Sequence, residues 1–169
     1  MKKLAAITLI FAAFTASASL AQQVPATPKP SQTTETFGAW TVRCVGAEET
    51  QCEAVQIING KAGTIAEIAI ALPAGQKEAI LASRAPLGVM ISEPIRFGEK
   101  DAADAFAINY VTCVNKGCLA QAKVPTDGLL SLADKKAASL TIKEHSGRTF
   151  QILVSLDGLK DALTRLGGV

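Results

Sequence analysis

Histidine is almost absent from this 169-residue chain, and its scarcity removes most familiar catalytic arrangements. The single histidine, His145, follows Glu144 in the polar stretch K-E-H-S-G-R, which is typical of a solvated hairpin turn. A serine or cysteine nucleophile needs a base within reach, and the motif G-x-S-x-G does not occur. The acidic pairs Glu48–Glu49 and Asp101/Asp104 lie in loop-like sequence, with too few oxygen ligands at calcium-loop spacing. We therefore expect no enzyme activity, no catalytic residue, no cofactor and no bound metal.

Aromatic residues are also few, at 5% of the chain. Sites for sugars and single-stranded nucleic acids usually present aromatic platforms, and this small supply matches the needs of a core. Beyond the N-terminal segment the aromatic residues are Phe37, Trp40, Phe97, Phe106, Tyr110 and Phe150. Trp40 is the ambiguous one: we expect it in the core, with an exposed binding role as the alternative.

The chain has no marked excess of charge of either sign. It carries 17 basic and 15 acidic residues, and without Lys2 and Lys3 the two numbers are equal. Bulk charge therefore attracts neither nucleic acid nor an anionic lipid surface. We expect no nucleic-acid partner.

Long apolar runs are missing except at the N-terminus. Lys2 and Lys3 precede an uncharged run from Leu4 to Phe14, and small residues follow as far as Ala21. This order predicts a secretory signal peptide at residues 1–21, cut after Ala21. The run is shorter than the ~20 apolar residues of a spanning helix, and no later segment is longer. We expect a periplasmic or secreted, envelope-associated protein with no transmembrane segment after cleavage.

Four cysteines in an exported chain of this size predict disulfides. Three pairings are possible, and the spacing favours the local ones, Cys44 with Cys52 and Cys113 with Cys118. In C-V-N-K-G-C, a four-residue loop of turn formers fits a tight hairpin whose flanking residues face each other. A zinc clip and a redox-active pair are the alternatives. C-x7-C is loose for zinc ligands, and neither pair has the C-x-x-C spacing of redox sites.

The rest of the chain divides into a tether and one domain. Residues 22–36 are rich in Pro, Thr and Gln and predict a flexible tether. From Phe37 onwards, short runs alternate between apolar and polar, with turn signals about every ten residues, which predicts an antiparallel sandwich or barrel. One such run, T-I-A-E-I-A-I-A-L, places four apolar residues on one face: Ala66, Ile68, Ile70 and Leu72.

Two segments have helical character. One or two turns are expected after Thr126. The stretch D-G-L-K-D-A-L-T-R-L-G-G predicts a C-terminal helix with Asp157 as its N-cap and Gly167 as its stop. We expect this helix to cover an open end or edge of the sandwich.

Together these elements resemble the invasion-associated locus B (IalB) family. Its pattern is F-x-x-W-x-V-x-C, a second cysteine, a P-x-G step, a C-x4-C and a terminal S-L-x-G-F-x-x-A-L. The matching stretches are F-G-A-W-T-V-R-C from Phe37, then Cys52, A-P-L-G-V from Ala85, C-V-N-K-G-C from Cys113 and V-S-L-D-G-L-K-D-A-L from Val154. The resemblance runs from about Phe37 to Leu166, with Leu159 in the place of the family's Phe.

The resemblance implies an all-β fold over residues 37–169, an immunoglobulin-like antiparallel β-sandwich with a short C-terminal helix and two local disulfides. It implies an exported protein of Gram-negative bacteria and presumed disulfides at the four cysteines. It carries no catalytic residue and no cofactor. The family takes its name from a member linked to host-cell invasion.

We expect a non-enzymatic protein that binds another protein or an envelope component, through a sheet edge or the loops around P-L-G. One alternative is a periplasmic hydrolase that pairs carboxylates in space or uses Glu144 with His145. The other is a small-ligand carrier with a cavity between its sheets. Alanines at inward positions allow such a cavity, although they equally suit close approach of the sheets; they are Ala54, Ala66, Ala120 and Ala122.

Overall fold

The computed structural model describes residues 32–46, 51–61, 63–73 and 75–167, which form ten strands and two short helices. The strands are β1 (Gln32–Phe37), β2 (Trp40–Val45), β3 (Gln51–Gly60), β4 (Gly63–Ala71), β5 (Glu78–Ala85), β6 (Ile95–Gly98), β7 (Phe106–Val114), β8 (Gly117–Pro125), β9 (Ala138–Lys143) and β10 (Thr149–Val154). The helices are α1 (Thr126–Ala133) and α2 (Leu159–Arg165).

All strand pairs are antiparallel, in the order β1-β2-β3-β4-β5-β8-β7-β6-β9-β10. Strand β7 belongs to both halves of this order. Phe106–Ile108 pair with β6, whereas the residues from Asn109 onwards pair with β8. The predicted immunoglobulin-like antiparallel β-sandwich is confirmed. The larger layer contains β1–β5 and β8, the smaller one contains β6, β9 and β10, and β7 passes from one layer to the other.

The core lies between the layers and follows the period of two in the strands. Ile68 and Ile70 on β4 and Leu81 on β5 have no exposed surface, as predicted for one face of an alternating strand. On β7 the inward residues are Ile108, which is fully buried, and Tyr110, which is half-buried. Burial raises the pKa of the Tyr110 phenol to about 12, because the phenolate would lose its hydration.

Both predicted helices are present, but the predicted cap of α2 is wrong. The residue before Leu159 is Gly158, in the left-handed region at φ 77°, and no side chain caps the helix. The backbone carbonyl of Asp157 instead accepts a hydrogen bond from the N–H of Ala39, 3.0 Å away. The backbone of Asp157 therefore contacts the β1–β2 turn. Helix α2 begins two residues after Asp157.

The first strand begins at Gln32, inside the segment predicted as a tether over residues 22–36. Every residue from Gln32 to Thr36 is exposed, and each pairs with a residue of β2. A strand at a sheet edge needs backbone hydrogen bonds rather than buried side chains, and composition alone did not reveal them. The predicted signal peptide and residues 22–31 lie outside the described residues.

In the described parts of the chain, neither helix is long and apolar enough to cross a membrane.

Candidate functional site

The stretch C-V-N-K-G-C forms a disulfide-linked hairpin that is tighter than predicted. Cys113 and Cys118 face each other on β7 and β8, with an S–S distance of 2.02 Å. The strands continue past the cysteines to Val114 and Gly117, so the connecting loop has two residues instead of the predicted four. Gly117 has φ 130°, and a Cβ atom there would lie 2.4 Å from the carbonyl oxygen of Ala85. The close approach of β5 therefore requires glycine at this position.

The second disulfide joins neighbouring strands of the same layer. Cys44 on β2 lies opposite Cys52 on β3, with an S–S distance of 2.07 Å. Cys44 is buried in the core, whereas Cys113 is exposed at a hairpin tip. All four sulfurs are thus in disulfides, and no group of three or more potential metal ligands occurs among the residues that the structure describes.

Trp40 is a core residue, as predicted, and it is part of a polar joint between the layers. Its side chain is fully buried, and its indole N–H donates to the carbonyl of Ser155 over 2.9 Å. The buried amide of Gln56 donates to the same carbonyl over 2.8 Å and accepts from the N–H of Ser155 over 3.0 Å. The segment after β10 is therefore held by residues of β2 and β3.

Two glycines allow close contact beside this joint. A Cβ atom on Gly158 would lie 2.0 Å from the carbonyl oxygen of Phe37, and one on Gly38 would lie 2.6 Å from that of Asp157. Both glycines have positive φ, at 77° and 53°. The stretches F-G-A-W and S-L-D-G thus meet in space, and their backbones pack against each other to build the fold.

Glu144 and His145 do not form a catalytic pair. The Glu144 carboxylate accepts hydrogen bonds from Ser146 Oγ and Arg148 Nε, each over 2.9 Å. These bonds, with that from Ser146 the larger contribution, lower the pKa of Glu144. The exposed His145 donates its backbone N–H to the carbonyl of Gly88 over 2.8 Å. The pair therefore joins the β9–β10 turn to the P-L-G loop.

The other carboxylates singled out in the sequence lie in loops. Asp101 and Asp104 belong to the turn between β6 and β7, where Asp101 has a positive φ of 60°. Near them, Glu99 forms an ion pair with Lys135 over 3.3 Å. The Glu48–Glu49 pair lies outside the described residues.

The outer face of the larger layer carries a charge network that sequence reasoning missed. Arg43 Nε lies 2.6 Å from Glu53, and Arg43 Nη2 lies 3.4 Å from Glu67, which also binds Arg84. These four residues come from four adjacent strands and line a shallow concavity of about 290 Å³. Two guanidinium groups balance two carboxylates, so the carboxylates are held as ion-pair partners rather than as an acid–base pair. The signal in the sequence is the outward phase of charged residues in four predicted strands.

The inward alanines are packed. Ala54, Ala66 and Ala120 are at most 2% exposed and belong to the core, and Ala122 packs against it. Small side chains at these positions let the layers approach closely.

Most exposed apolar residues lie on neighbouring elements of one layer. Nine large apolar side chains are exposed in the described residues, and seven of them lie on the β3–β4 hairpin, the β5–β6 loop or the β7–β8 hairpin. The seven are Ile57, Ile65, Leu87, Ile91, Val111, Val114 and Leu119. Exposed apolar surface on neighbouring elements marks interaction sites more often than a single scattered residue does.

Proteins similar to this chain are found both by sequence and by structure. A family model described as Invasion associated locus B (IalB) protein matches residues 40–167. "Invasion protein B" of Bartonella bacilliformis is 28% identical over an alignment of 183 residues, which covers 98% of this chain and 97% of that protein. The crystal structure of invasion associated protein b from Bartonella henselae superposes with a TM-score of 0.69 at 22% identity, over 79% of this chain and 95% of that one. At that identity the structural likeness speaks to the fold alone.

Proposed function

Because the chain belongs to the invasion associated locus B family, we propose that it is an exported, non-enzymatic protein that binds a protein or an envelope component. The observation that carries the proposal is the set of seven exposed apolar side chains on two hairpins and one loop of a disulfide-linked sandwich. The carboxylates that could serve in catalysis are held by other side chains. Glu144 accepts hydrogen bonds from Ser146 and Arg148, and Glu67 forms ion pairs with two arginines. The exposed apolar side chains are suited to contact with a partner rather than to catalysis.

Export is the first part of the proposal to test. The native protein is purified from the cell envelope, alkylated without reductant, and weighed intact. We expect a chain that starts at Gln22 and carries no alkyl group. A mass that includes residues 1–21, or alkylation of Cys113 and Cys118, would contradict export through a cleaved signal or the staple role of the hairpin disulfide.

Binding is the second part. Chemical crosslinking in intact cells, followed by affinity purification of the chain, should give a defined adduct of constant mass. A chain recovered only as an uncrosslinked monomer would count against a binding role.

The names of its relatives motivate a further hypothesis, that the partner is met during invasion of a host cell. A deletion strain and its complemented control, compared in a host-cell invasion assay, test it. Equal invasion by both strains would limit the protein to a role inside the bacterial envelope.

A further inference from the structure

Six of the nine residues of strand β7 have an open backbone edge. The short strand β6 pairs with Phe106–Ile108 and no further, because Pro94 precedes it and supplies no N–H. Asn109–Val114 therefore pair with β8 on one side only. Within the described residues, no backbone hydrogen bond joins these six residues to any other segment.

The exposure of β7 agrees with an open edge. From Asn109 to Val114 every residue is exposed except Tyr110, which is half-buried, so both faces as well as the edge meet solvent. Val111 is 68% exposed and Val114 is 50% exposed. The six residues include no charge and no proline, the devices that proteins commonly use to stop a free edge from pairing.

The hairpin disulfide fixes this edge. Cys113 lies within the open stretch, and its bond to Cys118 ties β7 to β8 one residue pair before the turn. A strand that is already extended loses less conformational entropy when it binds. The bridge therefore holds the edge in a form ready for strand addition, a role beyond stability.

Resting on the proposed binding function, we propose that the open edge of β7, Asn109–Val114, binds an extended, apolar segment of a partner protein as an added antiparallel strand. The edge spans about 20 Å at the usual rise per residue, which suits a segment of about six residues. Such a strand starts beside Lys116, which forms no ion pair within the described part of the chain. An acidic residue at the start of the segment complements this lysine.

A bulge in β7 favours a partner segment over a second copy of the chain. The register with β8 shifts between Tyr110 and Thr112, which leaves Val111 without a partner. A bulge twists an edge and hinders its pairing with the regular strand of another folded domain. A segment without fixed structure adapts to the extra residue, so it fits where a rigid edge does not.

The first test places a photo-crosslinking amino acid at Val111 in the full chain, expressed in intact cells, with Leu153 as the matched control. Leu153 is 76% exposed and lies on β10, the strand at the other layer's edge. We expect one adduct from position 111 and none from position 153, with the crosslink mapping to a single stretch of one protein.

The other outcomes separate this inference from the proposed function. An adduct with a second copy of the chain, or adducts from position 153 alone, would overturn the inference and leave the binding function intact. The absence of any adduct from both positions and with general crosslinkers would overturn both.

The second test uses a synthetic peptide of the mapped stretch and two versions with alternate backbone amides N-methylated. Alternate N–H groups of a strand point to the same side, so one version should bind at least tenfold more weakly and the other nearly as well as the parent. Equal binding of all three would show that the contact is made by side chains alone, against strand addition.

Charge reversal tests the expected direction of the strand. Lys116→Glu should weaken binding of the parent peptide several-fold, whereas Lys61→Glu, on the exposed tip of the β3–β4 hairpin, should leave it unchanged. Equal effects of the two substitutions would overturn the predicted position of the acidic residue.

Discussion

At the scale of single residues, the backbone of Ser155 shows how distant motifs depend on each other. Its carbonyl accepts from Trp40 and from Gln56, which lie in the other layer. Gly158 and Gly38 then bring the backbones beside this joint into contact that a larger residue would prevent. These residues explain why F-G-A-W and S-L-D-G occur in one chain, because each is the packing partner of the other.

The first prediction concerns Gly158. Gly158→Ala should lower the free energy of unfolding by about 2–4 kcal/mol, since the new Cβ meets the carbonyl of Phe37 and φ is positive. Gly147→Ala is the matched control, because Gly147 also has positive φ, at 87°, but no atom within 4 Å of its Cβ position. Urea unfolding measures both. Equal losses would mean that φ alone, and not the contact, explains the effect.

The second prediction concerns the Glu144 carboxyl. Its lowered pKa means that the carboxylate stabilises the fold at pH above the unfolded-state pKa, and this contribution disappears as the pH falls through the folded-state pKa. Ser146→Ala should raise the pKa of Glu144 towards its ordinary value, because it removes the hydrogen bond that lowers this pKa the most. NMR titration of the side-chain carboxyl checks this. Ser131→Ala, at an exposed serine on α1, should leave that pKa unchanged.

At the scale of elements, strands with similar burial patterns differ in how many neighbouring strands they pair with. Buried residues recur with a period of two on β5, and the inward residues of β7 follow the same period, yet β5 is paired on both sides whereas Asn109–Val114 of β7 have a neighbouring strand on one side only. The sequence predicted the strands and the period of their buried residues. It did not predict the neighbours, because pairing depends on which segments the chain brings together in space. The open edge and the charge network both depend on that pairing.

The third prediction concerns the disulfides. Replacing Cys113 and Cys118 together with serine should cost about 2 kcal/mol of stability, from the entropy regained by a short loop in the unfolded chain. Replacing Cys44 and Cys52 should cost more, because Cys44 is also 1% exposed and buried in the core. Chemical denaturation compares the two variants. A larger loss from the hairpin pair would contradict this order.

The fourth prediction concerns the four-strand charge network. Glu67→Gln should cost about 1–3 kcal/mol, since the Glu67 side chain is 15% exposed and two arginines would lose their shared partner. Asp134→Asn, which breaks an exposed pair with Lys160, should change stability little. Thermal unfolding at two salt concentrations checks both. A similarly small effect at both sites would show that the charge network contributes little to the stability of the fold.

At the scale of the whole molecule, α2 packs against β1, β2 and α1. Its residues Leu159, Ala162 and Leu163 are fully buried, and Arg165 reaches Glu35 on β1 over 2.7 Å. The helix thus links the last segment of the domain to its first strand. Leu159, which the sequence resemblance puts in the place of a Phe, is fully buried in the core.

The fifth prediction concerns the packing of α2. Leu163→Ala should cost about 2–5 kcal/mol, because it removes a fully buried side chain and leaves a cavity. Asp161→Ala, on the exposed face of the same helix, should leave the unfolding midpoint nearly unchanged. Near-UV circular dichroism of Trp40 reports the transition. Equal midpoints for the two variants would show that α2 is not part of the cooperative unit.

The class of fold, the inward faces of the strands, the local cysteine pairs and both helices could be predicted along the chain, because each of these follows from short-range spacing. The other features arise only when distant segments pack together. That packing placed the motif glycines against backbone far along the chain, used Glu144 in a turn, brought four charged residues onto one face, and left one edge of Asn109–Val114 without a neighbouring strand. These features depend on contacts between segments distant in sequence, and a local pattern carries no information about which segments will meet.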